Sequence, residues 1–211
     1  VPADALDKAS ARLLRYLQDP GTIAVRYSDN PAASRFAVQS YAALVLSRQQ
    51  KAPLGALRIL RDQSAAATSG LPLVQLGIAL TRMGDSVRGQ QAILKGVNFQ
   101  GKTEHNWLGD YGSPLRDNAL ILSLLEENNL LADQRAALLN RLSEQAWGEQ
   151  WLSTQENNAL FLAARQQDTG TDKWGADASF SSTPLQGEHS QVITLSSVEQ
   201  AALNITNRGE A

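Results

Sequence analysis

His105 and His189 are the only imidazoles in the chain. His105 falls in the polar run Lys102-Thr103-Glu104-His105-Asn106. Neither histidine has a second His or a Cys at metal-ligand spacing. Both read as solvent-exposed residues rather than bases or ligands. There is no cysteine, which excludes a thiolate nucleophile, thiolate metal ligands and a disulfide framework within these residues. Carboxylates remain, because two of them across a cleft can hydrolyse a glycosidic bond. Glu126-Glu127 closes a helical stretch, Asp110 lies in a Gly- and Asn-rich loop, and Glu149 and Glu156 flank Trp151. Trp107 and Trp151 are of a type that stacks on sugar rings. Spacing along the chain does not place two carboxylates across a cleft, so these acids read as caps and solvated groups. No Gly-rich phosphate loop and no GxSxG nucleophile elbow is read. Arg35, Arg48, Arg58, Arg61, Arg82 and Arg88 are scattered over helical stretches and read as solvated faces. No catalytic, cofactor-binding or metal-ligating residue is assigned.

The elements around these residues are mostly helical. Leu and Ala supply 61 of 211 residues and aromatics only 6%, a bias towards helix. Nineteen Lys+Arg against 21 Asp+Glu leave a net charge of −2, without the basic footprint of a nucleic-acid binder. No apolar run is long enough for a membrane span, and Val1-Pro2-Ala3-Asp4 does not open a signal peptide. The absence of an initial Met suggests a piece of a longer protein.

Apolar spacing predicts a helix over 4–18, stopped by Asp19-Pro20-Gly21. Further helices start at Pro31, Pro53, Pro72 and Pro114, where the missing N–H of proline costs nothing. Others are capped by Asp85 or Ser86, by Asp133, and by Ser153 or Thr154. An internal repeat runs through them. Ala43-Leu44-Val45-Leu46-Ser47 aligns with Gly77-Ile78-Ala79-Leu80-Thr81, Ala119-Leu120-Ile121-Leu122-Ser123 and Ala159-Leu160-Phe161-Leu162-Ala163. These four helices are apolar nearly all round and are expected to be buried on most sides, with Leu44, Leu80, Leu122 and Leu162 in the core. The intervening helices are amphipathic. Two layers follow, stacked as a solenoid or curved into an α/α toroid. After Asp168 the texture changes. The segments 178–181, 191–195 and 201–206 read as short strands.

Trp151-Leu152-Ser153-Thr154-Gln155-Glu156-Asn157-Asn158-Ala159-Leu160 resembles the start of the last helix of the thioester domain in alpha-2-macroglobulins and complement proteins. Earlier inner helices of that domain resemble Asp117-Asn118-Ala119-Leu120-Ile121-Leu122, Leu76-Gly77-Ile78-Ala79-Leu80-Thr81 and the stretch from Ser34 to Leu46. The resemblance covers nearly the whole chain and is strongest with the bacterial branch. It implies a mainly α fold: residues 1–167 as part of an α/α toroid, followed at 168–211 by the start of a CUB-like β segment. It implies a protease-trapping inhibitor rather than an enzyme. There, bait cleavage triggers a rearrangement, and a Cys–Gln thioester acylates the protease. The thioester residues belong upstream of this chain. The loop matching the acyl-transfer histidine of complement members, Thr22 to Asn30, holds no His, and His105 falls two hairpins later. The resemblance further implies target proteases and a peptidoglycan synthase as partners, a periplasmic location and a lipidated N-terminus outside these residues. It implies no cofactor. Two other readings stand beside it: a toroid-type carbohydrate enzyme and a helical-repeat binding scaffold. Under the macroglobulin-type reading, Trp151 to Gln155 forms a turn and N-cap at the last helix of the domain.

Overall fold

The computed structural model describes residues 3–25, 28–99, 112–148, 151–167, 174–187 and 193–208. The chain divides into two compact units, Val1–Ala163 and Ala164–Ala211. His105, His189, Trp107, Asp110 and Glu149 lie outside the described residues.

Eight helices carry the first stretch: α1 (Ala3–Gln18), α2 (Pro31–Arg48), α3 (Leu54–Asp62), α4 (Gly70–Arg82), α5 (Ser86–Val97), α6 (Pro114–Glu127), α7 (Ala132–Gly148) and α8 (Thr154–Gln167). α2, α4 and α6 carry most of the buried residues, while α1, α3, α5 and α7 bury fewer and are amphipathic. In α4 every residue from Gly70 to Leu80 is buried, which explains a sequence apolar on all sides. Val74 and Ile78 join a core with α6, α7 and α8, while Leu73, Leu76 and Leu80 join a second core with Leu17, Phe36, Leu46, Leu57 and Leu60. α4 starts two residues before the expected Pro72, after Ser69.

The expectation of burial holds for Leu44, Leu80 and Leu122. It fails in part for α8. Ala159 and Ala163 are buried, but Leu162 is only half-buried and Phe161 is 63% exposed. Neighbours cover α8 on one face only, so its all-round apolarity is not matched by all-round packing here.

α4 and α5 run antiparallel along a seam of glycines. A Cβ on Gly70 would meet the Gly96 carbonyl oxygen at 2.1 Å, and one on Gly77 would meet the Gly89 carbonyl oxygen at 2.7 Å. Backbone packs on backbone there, which no residue with a side chain permits.

In the second unit β1 (Trp174–Ala178) is the middle strand of an antiparallel sheet, order β2-β1-β3, with β2 (Leu185–Gly187) and β3 (Ile205–Asn207). Three strand expectations need correction. At 178–181 only Ala178 belongs to a strand, and a turn follows. Residues 193–195 form no strand, and Gln191 and Val192 lie outside the described residues. In 201–206 a short helix, α9 (Ser197–Ala201), ends before β3 begins. Its cause is a capping box: Ser196 and Glu199 satisfy each other's backbone N–H groups, which outweighs the alternating pattern.

Candidate functional site

The inner helices α2, α4 and α6 stop in one common way. A residue with positive φ follows each: Gln50 (57°), Gly84 (93°) and Asn129 (51°). The next N–H reaches back to a carbonyl five residues earlier, Lys51 to Leu46, Asp85 to Leu80 and Leu130 to Leu125, each at 2.9 Å. The positive-φ residues donate to Ser47, Thr81 and Glu126 at 3.1, 3.1 and 3.0 Å. These are Schellman caps. They set the structural register of the repeat as Leu46, Leu80 and Leu125. The expected Leu122 is one turn away on the same buried face.

This register puts Arg48, Arg82 and Glu127 at the same last-turn position of three successive helices. Glu127 accepts from Arg48 Nη2 at 2.5 Å and from Arg82 Nη2 at 3.5 Å. Arg82 also donates to Asn128 Oδ1 at 2.8 Å, and Asn128 Nδ2 donates to the Leu124 carbonyl at 2.7 Å. A carboxylate at a helix C-terminus opposes the helix dipole, and the two guanidinium groups offset that cost. The contacts bring three C-termini together, so α2, α4 and α6 run parallel.

At the other end Ser113 caps α6 by accepting the Arg116 N–H at 3.1 Å. Its hydroxyl donates to Glu156 Oε1 at 2.6 Å. Glu156 Oε2 accepts the Ser153 N–H at 2.8 Å, and Ser153 Oγ accepts the Glu156 N–H at 3.2 Å. Ser153 and Glu156 thus form a capping box, and the one carboxylate joins the N-termini of α6 and α8. The expected cap is in place on Ser153, and residues 151–153 are irregular rather than a turn before α8 begins at Thr154. Thr154 and Gln155, inside the same motif, are exposed.

The remaining acids are also engaged in structure. Glu126 accepts from Arg135 Nη1 at 2.5 Å. Asp85 precedes α5 but makes no cap bond. It accepts from Arg58 Nε at 2.7 Å and Arg88 Nη1 at 3.1 Å, with its side chain 6% exposed. The Arg58 hydrogen bond holds its carboxyl below the ordinary 3.8 against the opposing effect of burial, and Arg88 adds to the lowering. The solvated-face reading of the arginines is refined: Arg48, Arg58 and Arg88 are exposed, as read, yet each is paired. Arg48, Arg58, Arg82 and Arg88 bind carboxylates, and Arg61 donates to Gln91 at 3.1 Å. Arg35 differs, with its Nε buried and without a hydrogen-bond partner. Sequence reading missed the Ser113–Glu156 link, although Ser113-Pro114 and Ser153-x-x-Glu156 are both cap signals.

The absence of a phosphate-loop string needs correction. Gly96-Val97-Asn98-Phe99-Gln100-Gly101-Lys102-Thr103 fits GxxxxGK[ST]. Its described part does not build that loop: Gly96 and Val97 end α5, and Gly96 packs on Gly70. A phosphate loop needs a strand before it and a helix N-terminus after it, whereas a helix C-terminus repels an anion. Residues 100–103 lie outside the described residues. Among the described residues no group of three or more His, Cys, Asp or Glu is placed to hold a metal. No helix among them is long and apolar enough to cross a membrane.

No family model matches the chain. Alpha-2-macroglobulin of Escherichia coli K12 is 58% identical over 211 residues, 100% of this chain and 13% of that protein. The native E. coli alpha-2-macroglobulin structure spanning domain MG7 to the C-terminus aligns with 99% of this chain and 33% of its own, at TM-score 0.87 and 58% identity. The trypsin-activated E. coli protein aligns with 99% of this chain and 14% of its own, at TM-score 0.75 and 59% identity. The chain thus spans well under two thirds of the length of the curated relative. In sequence and in structure it is the counterpart of one segment of the bacterial alpha-2-macroglobulins.

Proposed function

We propose that this chain is one segment of a protease-trapping inhibitor of the alpha-2-macroglobulin type. The observation that carries the reading is the likeness to the E. coli protein along the whole 211 residues. Structures of that relative activated by trypsin and by porcine elastase support proteases as the targets. In this reading a protease cuts a bait segment elsewhere in the polypeptide. An amine of the protease then attacks a thioester carbonyl, forming an amide and releasing a thiolate. The thioester's cysteine lies outside these residues, which hold none. The role of these residues is to hold the toroid wall in register. The capped, ion-paired ends of the inner helices do that.

The test is the full-length protein incubated with trypsin. The trapped protease keeps turnover of a small peptide substrate and loses turnover of a large protein substrate. Undiminished digestion of the large substrate sinks the reading. A periplasmic location, a lipidated N-terminus and a peptidoglycan synthase as partner belong to the same proposal, supported by resemblance to the bacterial branch alone. Cell fractionation and affinity capture of the full-length protein check them.

The carbohydrate-enzyme reading loses its described acids. Glu126, Glu127 and Glu156 are each committed to an ion pair or a cap.

A further inference from the structure

We draw no further inference here: the strongest candidate, the Arg35 side chain near the N-terminus of α2, whose buried Nε has no hydrogen-bond partner, is a single half-buried cation beside a helix N-terminus, and nothing in the structure shows what ligand or partner covers it.

Discussion

Glu156 shows how much one side chain can carry. Its two carboxylate oxygens serve different helices, Ser113 at the start of α6 and Ser153 at the start of α8. Ser153→Ala is expected to cost about 0.5–2 kcal/mol, the range for losing a cap. Glu156→Ala should cost more, because it breaks the box and the link together. In a double-mutant cycle by urea unfolding, Ser113→Ala and Glu156→Ala should be non-additive. Additive losses would mean that the two caps act separately. Asp85 makes the second residue-scale case. Its folded pKa lies below the ordinary 3.8, through Arg58 first and Arg88 after burial is set against it. The unfolded chain therefore takes up a proton before the folded one does. The contribution is present above about pH 4 and lost as pH falls through the folded pKa. Wild type should be more stable than Asp85→Asn near neutrality, with the gap narrowing below pH 4. A gap that stays constant down to acid unfolding counts against the ion pairs.

At the scale of elements, the fold was legible where a period and a cap agreed. Helix starts at Pro31 and Pro114 were readable because proline at the first turn and Asn30 or Ser113 before it give the same message. Burial on α8 was not, because apolarity reports which face could be covered and not which face is. Nor was the register of α6, since its Schellman cap sits three residues beyond the place where the Leu pattern aligns. The Arg48–Glu127–Arg82 row was invisible for the same reason. It needs the cap register before the three positions become equivalent. Leu122, fully buried in α6, tests the packing: Leu122→Ala should cost about 2–5 kcal/mol in urea unfolding. A loss well under that range would place it in a loosely filled site. The glycines of α4 and α5 test the seam. Ala is the better helix former by about 1 kcal/mol. Yet a Cβ on Gly77 would lie 2.6 Å from Ile93 Cγ1 and 2.7 Å from the Gly89 carbonyl oxygen. Gly77→Ala should therefore destabilise by about 1–3 kcal/mol, the cost of overpacking. Gly55 in α3 has nothing within 4 Å of a built Cβ, and Gly55→Ala should lose nothing. Equal effects at the two sites would refute the seam.

For the molecule as a whole, apolar surface on the first unit sets the expectation for the 211 residues made alone. Leu6, Tyr41, Trp147, Trp151 and Phe161 are all more than half exposed. The isolated chain should bind an apolar dye and self-associate in sedimentation velocity. A compact monomer with little dye binding would mean that eight helices suffice by themselves. The glycine seam has a different consequence, one for descent. A crowded contact between two side chains can be repaired from the other side by shrinking the partner. Between Gly70 and Gly96, or Gly77 and Gly89, the partner is already the smallest residue and the obstacle is its carbonyl. A lineage that loses one of these glycines has no suppressor available at the facing position, so the helix pair can drift everywhere except along this line.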